Sequence, residues 1–127
     1  METIRILLVD DHQVVREGLR HMLGFEADMK VVGEAADAEE ALAQVELLRP
    51  DIVLTDVKMP EMSGINLLKH IKELHPQTPV IVITGYGSIE SAVEAMKEGA
   101  YDYITKPIVD SEIKIIIERL IKESQIV

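Results

Sequence analysis

The sequence predicts an α/β protein built on one open, doubly wound parallel β-sheet with helices on both faces. Five short apolar runs recur along the chain, most of them rich in β-branched residues, and they hardly alternate between apolar and polar positions. Such runs are typical of strands that are covered on both faces, as in parallel sheets. Between the runs, apolar residues recur with helical spacing, so strand and helix alternate five times with right-handed crossovers.

The predicted elements follow from these two patterns in chain order. The five strands are Ile4–Val9, Met29–Val32, Ile52–Thr55, Val80–Ile83 and Tyr101–Ile104. Each strand is followed by a helix with an apolar stripe. The stripes are Val15, Leu19, Met22 and Leu23; Ala38, Leu42, Val45 and Leu48; Leu67, Leu68, Ile71 and Leu74; Ile89, Val93 and Met96; and Ile113, Ile116, Ile117, Leu120 and Ile121.

Local signals predict several helix ends. Asp37, with Glu40 three residues later, forms a capping-box-like start for the second helix. The third helix is expected to end near Pro76, and Gly99 can stop the fourth. Asp110 is the predicted N-cap of the fifth helix.

Composition excludes several classes of function. The chain has 127 residues, 47% hydrophobic and 28% charged, which suits a single domain over residues 1–127. Its net charge is −10 and only 3% of its residues are aromatic, so we expect no direct binding of nucleic acid. The absence of cysteine excludes disulfides and thiolate chemistry and suits a cytoplasmic protein. No signal peptide or membrane-spanning stretch of roughly 20 apolar residues is visible.

Polar residues follow the ends of four predicted strands. They are Asp10 and Asp11 after the first strand, Asp56 after the third, Thr84 after the fourth and Lys106 after the fifth. In open α/β sheets, ligands bind at this carboxyl edge, where the strand order reverses. Three converging carboxylates would repel one another, and a hard divalent cation with oxygen ligands, such as Mg²⁺, relieves that repulsion.

An aspartate at such an edge can also act as the nucleophile of phosphoryl transfer. The metal and a lysine ammonium supply positive charge to the phosphoryl oxygens, while a hydroxyl and backbone N–H groups supply hydrogen bonds. Lys106 and Thr84 have the right chemistry for these roles, and Gly85 leaves room beside the site. The sequence therefore predicts a Mg²⁺-dependent site that accepts a phosphoryl group.

Taken singly, each residue also has a structural interpretation. Asp11 suits a helix cap near His12, and Asp56 suits a turn. Thr84 suits a strand end, and Lys106 suits the protein surface. His12 itself is better interpreted as a surface residue at a helix start than as a metal ligand. The functional interpretation is favoured because the structural interpretations would have to place two acids, a hydroxyl and an ammonium group at one sheet edge by coincidence.

Four segments resemble the receiver domain of bacterial two-component response regulators. They are ILLVDDH (6–12), DIVLTDVKMPEMSG (51–64), PVIVITGYGS (79–88) and GAYDYITKP (99–107). The resemblance spans almost the whole chain. It implies a flavodoxin-like (βα)5 fold with strand order 2-1-3-4-5. It also implies one receiver domain over 1–127, with any output domain lying beyond Val127. The only reactions that this receiver domain would catalyse are its own phosphorylation and dephosphorylation.

The resemblance implies roles for the residues around the acidic pair. Asp56 would be the phosphoacceptor and a metal ligand. Asp11 would bind Mg²⁺ directly, whereas Asp10 would act through water. The backbone carbonyl of Lys58 would complete the protein's share of coordination. The side chains of Lys58 and Tyr86 would tune dephosphorylation, and we expect the bulky Tyr86 to hinder the attacking water.

The resemblance also implies a switch. Thr84 would be the hydroxyl that moves towards the phosphoryl group, and Tyr103 the aromatic residue that turns inward when Thr84 moves. Lys106 and the backbone of Gly85 would contact the phosphoryl group, and the Lys106–Pro107 peptide bond would be cis.

The implied partners are a sensor histidine kinase or a phosphotransfer protein, and an output domain or other partner. The output would bind the face of the fourth helix, fifth strand and fifth helix, centred on Ser88–Lys97 and Tyr101–Ile104. The resemblance also allows a phosphorylation-dependent homodimer. The output type stays open. Residues 83–108 resemble activators of the nitrogen-regulation type, whereas 9–20 resemble receivers joined to helix-turn-helix domains; a free-standing receiver or a hybrid kinase also suits the mixture.

Two other functions suit parts of the sequence. A Mg²⁺-dependent phosphohydrolase would also use an aspartyl-phosphate, but Lys58 stands where a second carboxylate would follow Asp56, and no cap insertion is present. A flavin-binding electron carrier would share the architecture. It lacks a phosphate-binding loop after the first strand, where Asp10 and Asp11 would repel phosphate.

Overall fold

The computed structural model describes residues 3–59, 62–85 and 89–124. Within them, the strands are β1 (Ile4–Val9), β2 (Met29–Ala35), β3 (Ile52–Asp56), β4 (Val80–Thr84) and β5 (Asp102–Thr105). The helices are α1 (Gln13–Leu23), α2 (Ala38–Leu48), α3 (Gly64–Leu74), α4 (Ile89–Lys97) and α5 (Asp110–Ser124). The strands form one parallel sheet in the order β2-β1-β3-β4-β5, which confirms the predicted fold and strand order.

The strands β3 and β4 run one residue further than predicted. Pairing continues through Asp56, which is opposite Ile83, and through Thr84, which is opposite Thr105. Both polar residues are therefore the last residues of buried strands and not the first residues of loops. This tethers their backbones to the sheet, so that their side chains leave it in a fixed direction.

Most helix ends follow the predicted signals. Asp37 precedes α2, and its side chain accepts a hydrogen bond of 2.8 Å from the backbone N–H of Glu40. After α4, Gly99 has a φ of 101°, a conformation that only glycine adopts without strain. The predicted N-cap of α5 is wrong by one residue. Asp110 is the first residue of that helix, because helical hydrogen bonds already reach the carbonyl of Val109.

Two apolar clusters cover the two faces of the sheet. One lies beneath α2, α3 and α4, and the other beneath α1 and α5. In β1, Leu7 and Val9 belong to the first cluster, whereas Ile6 and Leu8 belong to the second. Each fully buried aliphatic side chain contributes roughly 1.5–3 kcal/mol to folding. The core therefore fixes the strand ends that bear the polar residues.

The pairing of β2 with β1 contains a register shift. Consecutive residues of β1 pair with Val31 and Gly33, so Val32 is an extra residue in β2. A bulge of this kind turns the following side chains to the opposite faces of the sheet. Ala35 accordingly joins the cluster beneath α2, and Glu34 is directed to α1. In the described part of the chain, no helix is long and apolar enough to cross a membrane.

Candidate functional site

Three predicted carboxylates meet at the carboxyl edge of the sheet. Asp10 follows β1, and Asp56 ends the neighbouring strand β3. One side-chain ligand atom from each of Asp10, Asp11, His12 and Asp56 lies within 4.8 Å of all the others. Asp10 is only 1% exposed and Asp56 only 2%, so water screens neither carboxylate well. The structure thus brings the predicted acidic residues together in a mostly buried group.

The turn from β1 to α1 orients the acidic pair. The Oδ1 atom of Asp10 accepts a hydrogen bond of 2.8 Å from the backbone N–H of His12 and lies 3.2 Å from the His12 Nδ1 atom. The N-cap of α1 is His12, whose side chain makes no capping hydrogen bond. The alternative interpretation of Asp11 as the helix cap is therefore wrong, and its carboxylate remains available to the site.

The donor set fits a hard divalent cation. Within the described residues, Asp10 Oδ2 and Asp11 Oδ1 are buried and have no hydrogen-bond partner. The His12 Nδ1 atom lies 3.1 Å from Asp11 Oδ1 without a hydrogen bond to it. Leaving a buried carboxylate oxygen without a partner is costly, and Mg²⁺ takes one or two carboxylates together with water and phosphate oxygens. These orphaned oxygens match that preference.

The surroundings of Asp56 disfavour the ionised form of its carboxyl group. Its pKa is raised from the usual value, first by burial and then by the negative charge of Asp10. The Lys106 ammonium and a backbone hydrogen bond from Lys58 lower the pKa without cancelling the increase. The Lys106 Nζ atom is 3.4 Å from Asp56 Oδ2. One ammonium group therefore does not balance the acidic cluster, and a cation would stabilise the ionised form of Asp56.

Thr84 and Tyr103 lie on the β5 side of the site. Thr84 is fully buried, and its Oγ1 atom donates a long hydrogen bond of 3.5 Å to the carbonyl of Ile104. Tyr103, which precedes Ile104 in β5, is 40% exposed. It lines an open apolar groove of about 470 Å³ between α4 and β5, with Val93 and Met96 on the opposite wall. A buried hydroxyl thus reaches the strand that carries an outward-facing aromatic ring.

The remaining predicted positions have mixed outcomes. Gly85 is half-buried, and a Cβ atom added to it would meet none of the described residues within 4 Å. The Lys58 side chain is exposed, and the role of its carbonyl stays a prediction. Tyr86 lies outside the described residues. The Lys106–Pro107 peptide bond is cis, as the resemblance implies.

Two residues that support the site were missed by the sequence interpretation. Gly64 opens α3, and a Cβ atom there would overlap the carbonyl oxygen of Asp56. A glycine that begins a helix, where glycine is less common than at the end, was a usable signal. Arg16 of α1 donates a hydrogen bond of 2.6 Å from Nη1 to the carbonyl of Asp10. Nothing in the sequence pattern distinguished this arginine from other polar residues of the helix.

Comparison with known proteins agrees with the geometry. The family model of the response regulator receiver domain matches residues 6–118. The chain is 44% identical over 103 residues to the uncharacterized transcriptional regulatory protein YhcZ of Bacillus subtilis, covering 81% of this chain and 48% of that protein. The chain spans about half or less of the length of the curated relatives that it matches.

Solved structures give the same result. A LuxR-family two-component response regulator from Aurantimonas sp. matches with a TM-score of 0.90 and 35% identity, over 96% of this chain and 87% of that one. The CheX–CheY–BeF3–Mg²⁺ complex from Borrelia burgdorferi contains a chain that matches with a TM-score of 0.87 and 27% identity, over 94% and 90% of the two chains. This chain therefore belongs to the receiver domains of two-component response regulators, which are signalling domains.

Proposed function

We propose that Asp56 accepts a phosphoryl group from the phosphohistidine of a sensor histidine kinase or a phosphotransfer protein, in a reaction that requires Mg²⁺. The observation that carries the proposal is the contact of Lys106 with a buried Asp56, beside carboxylate oxygens of Asp10 and Asp11 that have no hydrogen-bond partner among the described residues. This arrangement provides a nucleophile, one fixed positive charge and an acidic pocket for a cation.

In the proposed reaction, a carboxylate oxygen of Asp56 attacks the phosphorus atom of the phosphohistidine. A P–O bond forms while the P–N bond breaks, and the electron pair of that bond returns to the imidazole nitrogen, which takes up a proton. The Lys106 ammonium orients the phosphoryl oxygens and stabilises their negative charge. The same contact lowers the pKa of Asp56, which favours the ionised form that the attack needs.

The residues that would hold the metal are Asp11, Asp56 and the carbonyl of Lys58, with Asp10 acting through water. When bound, Mg²⁺ supplies positive charge to the phosphoryl oxygens. Mg²⁺ is a component of the CheX–CheY–BeF3–Mg²⁺ complex from Borrelia burgdorferi, which supports the same choice of ion for this chain. The domain would also catalyse its own phosphorylation from small phosphodonors and its own dephosphorylation.

The proposed signal starts from the added charge. A phosphoryl group adds about −1.5 to −2 charges, which attract a hydroxyl donor. The bond from Thr84 to the Ile104 carbonyl is long and therefore weak, so this hydroxyl can turn to the phosphoryl group while Gly85 offers a backbone N–H. Tyr103 would then move into the vacated space. The face of α4, β5 and α5 would thereby change shape for a partner.

The output of that switch is also a proposal. The curated relatives are longer than this chain, and one is called a transcriptional regulatory protein, which supports an output domain beyond Val127 that regulates transcription. Such a role would place the protein in the cytoplasm. The same face could join two phosphorylated receivers. Its exposed apolar side chains support contact with a protein and not with nucleic acid.

The proposal is tested by incubating the protein with Mg²⁺ and acetyl phosphate and measuring its mass. We expect a gain of about 80 Da for one phosphoryl group. The gain should be absent in Asp56→Asn and present in the control Asp51→Asn, which changes an exposed aspartate at the other end of β3. Labelling of Asp56→Asn to the wild-type extent would refute the assignment. Continuous hydrolysis of a phosphomonoester would favour a phosphohydrolase, and a yellow purified protein would favour a flavin carrier.

A further inference from the structure

Arg16 joins the turn that carries the acidic pair to the edge strand β2. Its Nη1 atom donates to the carbonyl of Asp10 at 2.6 Å, and its Nε atom donates to Glu34 Oε1 at 3.1 Å. The side chain of Arg16 is 15% exposed and that of Glu34 is 22% exposed. These contacts are more sheltered than those of an ordinary surface ion pair, which contributes little to stability.

The contact with Asp10 acts on the backbone of the acidic pair. The carbonyl of Asp10 belongs to the peptide that joins it to Asp11, and that peptide is planar. On the other side of Asp10, its N–H donates a hydrogen bond of 3.0 Å to the carbonyl of Ala35. The backbone on both sides of the Asp10 Cα atom is therefore held by fixed partners. Since the peptide plane is fixed, the direction in which the Asp11 side chain leaves the backbone is restricted as well.

Glu34 is directed to Arg16 by the bulge in β2. Without the extra residue Val32, the alternation of side chains would direct Glu34 to the α2 face of the sheet. The backbone of Glu34 is also fixed from that opposite face, because Gln44 Nε2 donates a hydrogen bond of 2.6 Å to its carbonyl. The carboxylate of Glu34 is therefore a well-held anchor for the Arg16 guanidinium group.

We propose that Arg16, anchored by Glu34, is a positioning residue that sets the Asp10–Asp11 carboxylates for the metal. This inference rests on the proposed Mg²⁺ site. Glu34 offsets the positive charge of Arg16, so the pair affects the position of the acidic residues more than the electrostatic potential around them. Arg16 acts at the carbonyl of Asp10 and not at its carboxylate, so it competes with no metal ligand.

The structure supplies a matched control. Arg20 also pairs with Glu34, through Nη2 and Oε2, but no contact joins it to Asp10. Arg16 and Arg20 lie one turn apart on α1, and both are cations that share one carboxylate. A general effect of charge or of helix docking would appear in variants of either residue. An effect that requires the Asp10 carbonyl would appear only in variants of Arg16.

The first measurement is the affinity of metal-free protein for Mg²⁺ by titration calorimetry. Arg16→Lys keeps the charge but loses the rigid fork that reaches both partners, and Arg16→Gln also loses the charge. We expect both variants to raise the Kd for Mg²⁺ roughly ten-fold, the lower end of what losing the partner of a metal ligand costs. We expect Arg20→Gln to stay within about two-fold of the wild type, because exposed ion pairs contribute little.

The second measurement needs no metal. Amide hydrogen exchange at Asp11 and His12 reports whether the turn is held, and it should accelerate in both Arg16 variants but not in Arg20→Gln. If the folded Arg16 variants bind Mg²⁺ like the wild type, the inference is overturned, even if their Tm is lower. If the wild type binds no Mg²⁺, the proposed metal site fails instead. Even in that case, unchanged amide exchange in the Arg16 variants would refute the proposal that Arg16 positions the turn.

Discussion

The acidic edge of the sheet buries charged groups, whereas the groove between α4 and β5 exposes apolar groups to water. At the edge, the carboxylates of Asp10 and Asp56 are 1% and 2% exposed, although charged groups normally face water. In the groove, Ile89 is 76% exposed, Val93 48% and Tyr103 40%, although apolar groups normally avoid water. Added positive charge would stabilise the first region, whereas burial against another protein surface would stabilise the second.

This difference suggests how one region can act on the other. The proposed phosphorylation changes charge, so it would act directly on the edge and not on the apolar groove. Thr84 touches both regions, because it ends β4 at the edge and donates to β5 at Ile104, next to Tyr103. The groove can respond because its side chains are only partly packed. Variants that perturb one region therefore test whether the other region responds.

The largest effect is expected from Lys106→Met, which removes the fixed positive charge of the acidic edge. The rate of phosphorylation by acetyl phosphate should fall roughly 10²–10³-fold, the usual loss when a group that stabilises transition-state charge is removed. The pKa of Asp56 should also rise further, because Lys106 lowers it in the wild type. The rates are measured by mass spectrometry over time at saturating Mg²⁺.

The matched control is Lys114→Met, which removes a lysine that pairs with Glu26 and Asp110, away from the acidic edge. Its rate should match the wild type. A rate for Lys106→Met within about ten-fold of the wild type would mean that the metal alone provides the charge.

The next effect concerns stability. Asp56→Asn removes a charge that burial and Asp10 make unfavourable, so the metal-free variant should be more stable than the wild type. The gain should be on the order of 1–3 kcal/mol, the cost of a poorly satisfied buried polar group. It is measured by urea unfolding at neutral pH, with Asp51→Asn as the exposed control. Adding Mg²⁺ should narrow the gap, because it stabilises the wild type by binding.

The sign of the pH dependence follows from the raised pKa of Asp56. A folded pKa above the unfolded value of 3.8 means that the folded state holds this proton more tightly. The loss of folding stability caused by Asp56 is complete at pH values above its folded pKa. This loss shrinks as the pH falls through the folded pKa and vanishes below the unfolded pKa. The gap between metal-free wild type and Asp56→Asn should therefore close at acidic pH. A gap that is constant with pH would show that charge is not its cause.

The sequence was sufficient for the fold and for the meeting of the acidic residues, whereas the roles of the site residues stay predictions. Unalternating apolar strands predicted a sheet covered on both faces, and the edge rule for such sheets predicted that Asp10 and Asp56 would meet. Those signals are local or follow from topology, so they are readable in a single chain. The ends of β3 and β4 were less readable, because Asp56 and Thr84 are polar and end strands only through pairing with their neighbours.

Contacts between distant residues were the part that the sequence did not provide. Arg16 reaches the carbonyl of Asp10, and the bulge at Val32, which no residue pattern marked, directs Glu34 to Arg16. The close approach of Gly64 to Asp56 depends on the path of the chain between β3 and α3. In both cases, a residue elsewhere in the chain contacts the backbone of a site residue, and only the glycine left a signal in its residue type.

A smaller and more selective effect is expected from Thr84→Val, which keeps the shape but removes the hydroxyl between the two regions. Phosphorylation should still occur, at a rate within about ten-fold of the wild type, because one hydrogen bond is lost. The NMR shifts of the Tyr103 ring, which should change on phosphorylation of the wild type, should stay unchanged in the variant. The control Thr105→Val changes an exposed hydroxyl of the same sheet edge and should keep the response. A normal Tyr103 response in Thr84→Val would disprove the link.

The smallest effect is expected in the groove. Val93→Gln should change the free energy of unfolding by no more than about 0.5 kcal/mol, since Val93 is 48% exposed. Ala92→Gln, one residue earlier and only 5% exposed, should cost about 1–3 kcal/mol through overpacking. If Val93→Gln proved as costly, the groove would already be covered in the free protein. Sedimentation of the unphosphorylated wild type and variant would then show whether a second copy of the chain buries the groove. In that case, the groove would expose its apolar side chains only after the two copies dissociate.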